Sequence, residues 1–119
     1  MTSRKWIAPS AIALTLLAVP ASSLAHAQPE GTYPEHNSIR DQPPARIAVW
    51  FDHPMRITLF EVRGPAGVVA LSARPGATPV SRFEAVPTSP MPPGRYTVRW
   101  RGLAADGHVM ADEIGFKLR

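Results

Sequence analysis

The chain has 119 residues, with 13 Lys and Arg against 9 Asp and Glu, 14 prolines, 8 glycines and no cysteine. The missing cysteine excludes a disulfide framework, thiolate chemistry, a zinc finger and a lipid-attachment cysteine. The basic residues are scattered, and no dense basic run points to a nucleic-acid partner.

The first element is an export signal. Arg4 and Lys5 precede an apolar stretch, Ile7 to Val19, interrupted only by Pro9, Ser10 and Thr15. Pro20 breaks any helix there, and Ser23-Leu24-Ala25 puts small residues at both positions that a signal peptidase reads. The run is short for a bilayer span. Residues 1–25 therefore read as a cleaved signal peptide, and the product as an exported protein without stable membrane insertion. Cleavage after Ala25 leaves His26 first, whereas cleavage after Ala27, also permitted by the small-x-small rule, leaves Gln28 first. The first cut leaves one domain, residues 26–119, large enough for a modest core. Losing Arg4 and Lys5 leaves eleven positive against nine negative residues, a net charge of +2.

Residues 26–44 are polar and proline-rich without an apolar period, and read as an extended arm or irregular lead-in strand. From Arg46 to Phe51 the chain alternates, with Ile47, Val49 and Phe51 on one face and Arg46, Ala48 and Trp50 on the other. Asp52-His53-Pro54 is expected to close that strand, because proline cannot donate to a ladder. Arg56 to Val62 is a second strand, Gly64 to Gly67 a turn, Val68 to Leu71 a third strand and Val80 to Val86 a fourth. After a break at Pro90 to Gly94, Tyr96, Val98 and Trp100 alternate against Thr97, Arg99 and Arg101. Ala104 to Gly107 bends, and Ile114, Phe116 and Leu118 form the last apolar row. Short strands, many turns and no helix after the signal indicate an antiparallel sandwich. Tyr96 stands where a tyrosine-corner hydrogen bond forms, and a plain core tyrosine fits the position equally well.

Four polar residues are candidate metal ligands. An N-terminal His26 would offer its α-amine and its imidazole. His108 follows Asp106 by two, so in an extended strand both share a face. Asp106 would then either bind the same ion or accept a hydrogen bond from the ligand imidazole. Asp106-Gly107 also reads as an ordinary turn with His108 solvated beside it. His53 is a further candidate, with Asp52 as its alternative; neighbours in a strand point to opposite faces, so the two do not serve one ion together. His36 reads as a surface residue of the lead-in. A nitrogen and oxygen set of this kind suits Cu(II), which favours tetragonal N,O ligation. Met55, Met91 and Met110 are spread along the chain, without a cluster of soft sulfur ligands for Cu(I). Trp50 and Trp100 read as core or sheet-covering residues. No Gly-x-Ser-x-Gly, His-Glu-x-x-His or phosphate loop supports catalysis, so a non-enzymatic protein is expected.

Two stretches carry a resemblance. Gly94-x-Tyr96-x-Val98-x-Trp100-Arg101, followed by Ala105-Asp106-Gly107-His108 and Phe116-Lys117-Leu118, resembles the C-terminal signature of CopC-like periplasmic copper-resistance proteins. Upstream, His26-Ala27, Pro34 and Pro44-Ala45-Arg46-Ile47-x-Val49-x-Phe51-x-x-Pro54-Met55 fit the same pattern more loosely. The resemblance implies an all-β, immunoglobulin-like Greek-key β-sandwich or barrel of about seven strands. It implies a periplasmic protein for copper resistance that holds one Cu(II) through His26 and His108, with Asp106 nearby, and hands copper to an inner-membrane transport protein. It also favours cleavage after Ala25. The sequence departs from the family in four places. His53 stands where many relatives have an acidic residue, the methionine-rich Cu(I) loop is missing, Ala105 replaces a serine, and Asp112 replaces a glycine. Two other readings compete: a copper oxygenase with a histidine brace, and a metal-free immunoglobulin-like interaction module.

Overall fold

The computed structural model describes Ser3 and residues 30–119; His26 and the proposed signal peptide with its cleavage site, Ser3 apart, lie outside the described residues. Seven strands follow one another: β1 (Gly31–Tyr33), β2 (Ile39–Arg40), β3 (Ile47–Gly64), β4 (Gly67–Val68), β5 (Val80–Ala85), β6 (Gly94–Ala104) and β7 (Val109–Leu118). There is no helix among the described residues. The strands form one curled sheet in the order β1-β3-β6-β7-β2, with β4 and β5 also paired to β3. The expected all-β fold of about seven strands is what the chain adopts.

β3 makes the sheet curl. Its first part, Ile47 to Trp50, lies between β1 and β5, while Met55 to Arg63 pairs with β6. The strand thus changes partners near its middle, and the sheet folds over on itself there. The faces brought together are apolar: Phe51 meets Trp100 edge-on with ring centroids 4.8 Å apart, and Phe60 tilts against Phe83 at 4.7 Å. Such aromatic pairs add to the burial of their rings.

This corrects the expectation that Pro54 ends a strand. β3 runs through it for 18 residues. No ladder pairing falls between Trp50 and Met55, and the register shifts there. A residue without an N–H loses nothing at a point where no ladder bond is made.

The alternation read in the last two strands is obeyed in full. Tyr96, Val98 and Trp100 in β6, and Ile114, Phe116 and Leu118 in β7, are all buried. Facing them are Ile47, Val49 and Phe51 from β3, and among the described residues no polar or charged residue is buried with them. Removing such apolar side chains from water is worth about 1.5–3 kcal/mol each, which has to suffice in a domain without disulfides. One polar atom is left over: the Trp100 indole Nε1–H, buried and without a hydrogen-bond partner among the described residues.

Three smaller expectations change. The lead-in is woven into the sheet, antiparallel to β3 through β1 and parallel to β7 through β2, so the sandwich is not purely antiparallel. The strand expected over Val68 to Leu71 shortens to Gly67–Val68, with Leu71 making a lone bridge to Pro87. His36 is exposed but not idle, because its Nδ1 accepts a hydrogen bond from the Gly115 N–H at 3.0 Å. That bond and Asn37 N–H to Gly115 O, 2.7 Å, tie the lead-in to β7.

Candidate metal centre

The β6–β7 hairpin presents the first two candidates. Leu103 pairs with Val109, and the loop between them is closed by Ala104 N–H to His108 O, 2.9 Å, and Gly107 N–H to Ala104 O, 3.0 Å. Gly107 has φ +88°, the left-handed conformation that glycine adopts without steric cost. This is a three-residue hairpin loop, a type I turn followed by a left-handed glycine. Asp-Gly does form the turn, and the turn sets the geometry of both side chains.

Asp106 is bonded twice to His108. Its Oδ1 accepts from the His108 backbone N–H at 3.1 Å, and its Oδ2 lies 2.7 Å from His108 Nδ1. The pair is solvent-exposed, with the His108 side chain 73 % accessible. The side-chain bond to His108, seconded by the backbone bond, holds the Asp106 carboxyl below its ordinary value. A proton on Nδ1 directed at the carboxylate leaves the Nε2 lone pair of the neutral ring facing outward. A carboxylate that fixes the tautomer and orientation of a ligand imidazole is the usual supporting arrangement at metal sites.

His53 lies at the same end of the molecule. Met55 pairs with Ala104, so His53, two residues earlier in β3, is level with the hairpin loop. It lines an open, largely apolar concavity of about 610 Å³ together with Leu103, Ala104, Ala105 and Gly107. Its Nε2 is 3.6 Å from Asp52 Oδ2, and its side chain is 85 % accessible. The expectation that these neighbours point apart does not hold, because they occupy the unpaired stretch of β3 where strict alternation is relaxed. Among the described residues no three His, Asp or Glu side chains gather into a group that holds a metal. The structure thus brings Asp106 and His108 together and places His53 nearby. The remaining candidate, His26, lies outside the described residues.

Two methionines that the sequence separates also converge here. The Met55 thioether lies on Gly102, where an added Cβ would stand 2.7 Å from its sulfur. Gly102 is paired directly with Met110. Spacing in sequence gives no hint of this, since it follows from the β3–β6–β7 register.

The other end of the molecule contains the geometry of a corner rather than chemistry. Tyr96 is buried, stacks on Phe116 with centroids 5.3 Å apart, and donates its hydroxyl to Pro92 O at 2.5 Å. Of the two readings open for Tyr96, the structure selects the tyrosine corner. Burial pushes its phenol above the usual value.

With this geometry in place, comparison assigns the class. The CopC domain family model matches residues 29–119, and the chain belongs to that family. Among solved structures, it is similar to PcoC, a methionine-rich copper resistance protein from Escherichia coli, at 25% identity over 80% of this chain and 100% of that one, with a TM-score of 0.61. The selenomethionine form of PcoC matches at 23% identity over 77% and 99% of the two chains, also with a TM-score of 0.61. CopC from Methylosinus trichosporium OB3b shares the fold at 15% identity over 73% and 87%, with a TM-score of 0.58. No curated protein sequence matches the chain.

Proposed function

We propose that this chain is an exported, periplasmic copper-binding protein that takes up one Cu(II) and serves copper resistance. The observation that carries the reading is the Asp106–His108 pair, 2.7 Å between Oδ2 and Nδ1, on a tight turn that Gly107 completes in the left-handed conformation. It presents one oriented imidazole nitrogen to solvent. Membership in the CopC family and the likeness to copper resistance proteins support copper as the ion offered to that nitrogen.

The rest of the ligand set is His26 with its free α-amine, supported by His53. Gly31 pairs with Trp50, so β1 enters the sheet beside the part of β3 that leads to Asp52 and His53. His26 stands five positions before Gly31, a tether of at most about 17 Å. The imidazoles of His26, His53 and His108, an amine and the Asp106 carboxylate form the nitrogen and oxygen set that Cu(II) prefers. Copper here is cargo, bound in one place and surrendered in another, with an inner-membrane copper transport protein as the receiver.

The amine must lose its proton to ligate. Its ordinary pKa is about 7.7–8.0, so uptake releases protons and weakens as pH falls. The test is one added residue before His26. Cu(II) affinity is expected to fall sharply, and unchanged affinity in the extended protein would eliminate N-terminal ligation.

A further inference from the structure

The outward face of β3, β6 and β7 carries a charge pattern that copper chemistry leaves unused. These strands turn their apolar residues inward, so the residues between them share the opposite face. Arg56, Leu103 and Val109 lie abreast at the hairpin end, and Arg95, Lys117 and Ile39 at the far end. Midway, Arg99 is paired with Glu61 on one side and Glu113 on the other. The basic residues are scattered in sequence, and register gathers them.

Six cations, Arg56, Arg63, Arg95, Arg99, Arg101 and Lys117, are exposed on this face against two carboxylates, Glu61 and Glu113. Asp112, half-buried and paired with Trp100, belongs to the inward set. The rest of the chain from residue 26 has five cations against seven carboxylates. A net charge of +2 is thus divided into +4 on one sheet face and −2 elsewhere. Arg63 pairs with Glu61 at 2.6 Å; the other five cations make no ion pair among the described residues.

Like charges gathered in this way repel one another and attract an extended anion. The hollow beside Leu59 and Arg101 is open and about 270 Å³, below the roughly 300–1,000 Å³ of small-molecule pockets. Two aliphatic side chains mark the ends of the face, Ile39 at 57 % and Val109 at 59 % exposure. Cations framed by exposed aliphatics suit a bilayer interface, where anionic headgroups meet the charge and the acyl boundary meets the apolar groups. We infer that this face docks the exported protein on an anionic phospholipid leaflet. The inference rests on the export reading and on no copper ligand. Val109 directly follows His108, so docking holds the hairpin end at the membrane surface, beside the proposed receiver.

The experiment sediments the mature, metal-free protein with vesicles of equal parts phosphatidylglycerol and phosphatidylcholine, and with vesicles of phosphatidylcholine alone. Partition is expected onto the anionic vesicles only. It should be lost between about 0.1 M and about 1 M salt, as the screening length contracts from about 10 Å to about 3 Å. R101E should weaken it, and R95E/R101E should weaken it by about tenfold or more. R74E alters net charge as R101E does, but lies between β4 and β5 off this face, and should stay within about twofold of the wild type. E113Q should strengthen partition, a gain that no loss of folding produces. R95Q/R101Q keeps the test valid if the charge-reversed pair unfolds. No preference for the anionic vesicles would overturn the inference and leave an acidic protein surface as the occupant. Equal losses in R74E and R101E would also overturn it, by showing attraction through net charge alone. Cu(II) titration without vesicles tests the proposed function separately, and its failure leaves the vesicle result untouched.

Discussion

The two ends of the barrel are made by the same strands and put polar groups to opposite uses. At the Pro90–Gly94 end, the Tyr96 hydroxyl is spent inside the fold on Pro92 O, and its ring is sealed against Phe116. At the β6–β7 hairpin end, Asp106 and His108 bond to each other in solvent and leave one imidazole nitrogen unspent. A satisfied, buried polar group fixes a fold. An exposed pair with one free, oriented lone pair is available for a ligand. The described residues bury no charged side chain, so the polar groups free to take a ligand lie at the surface, and the hairpin pair is one of them.

That contrast can be broken most severely at the point both ends share. Trp100 fills the core between them and is buried to 1 %. Trp100→Ala should cost about 3–5 kcal/mol in chemical denaturation, and both copper uptake and the tyrosine corner should fail together. His108→Ala should separate the ends. Cu(II) affinity is expected to fall roughly a hundredfold, about 2.7 kcal/mol, with the thermal midpoint unmoved. A large drop in midpoint would show that the loop pair is structural after all.

Asp106→Asn sharpens the same end. It keeps the side-chain shape and removes the charge that orients and polarises the imidazole, and about a tenfold loss of Cu(II) affinity is expected in titration. Its pH behaviour has a definite sign. The folded Asp106 carboxyl lies below its ordinary value, so the Asp106–His108 bond supports the fold above the unfolded value and is lost as pH falls through the folded one. NMR titration of the metal-free protein should show the His108 amide shift following the Asp106 carboxyl in acid. At the opposite end, Tyr96→Phe removes one hydrogen bond and should cost about 0.5–1.5 kcal/mol. Copper affinity should not change, which makes it the mirror image of His108→Ala.

Sequence pattern revealed the parts of the molecule governed by local rules. The period of two in β6 and β7 named Tyr96, Val98, Trp100, Ile114, Phe116 and Leu118, and all are buried. Gly64 and Gly67 bracket the turn joining β3 to β4, and Asp106-Gly107 forms its turn. What escaped depends on partners distant in sequence. Pro54 looks like a stop from within its own strand, and only the exchange of β5 for β6 explains why β3 continues. β1 and β2, three and two residues long, are too short to show a period. The site was half legible. His108 and Asp106 stand out by their spacing, but the bond that fixes the ring is a property of the turn. The nearness of Met55 to Met110 is a property of register across three strands.

The proposed Cu(II) site of an N-terminal histidine and His108 is tested most directly on protein purified from the periplasm. Intact mass fixes the first residue, and Cu(II) titration followed by EPR reports the ligands. The expected result is a mass beginning at His26 and one copper with a tetragonal, nitrogen-rich signal. A mass beginning at Gln28, or copper without an ordered signal, would contradict it.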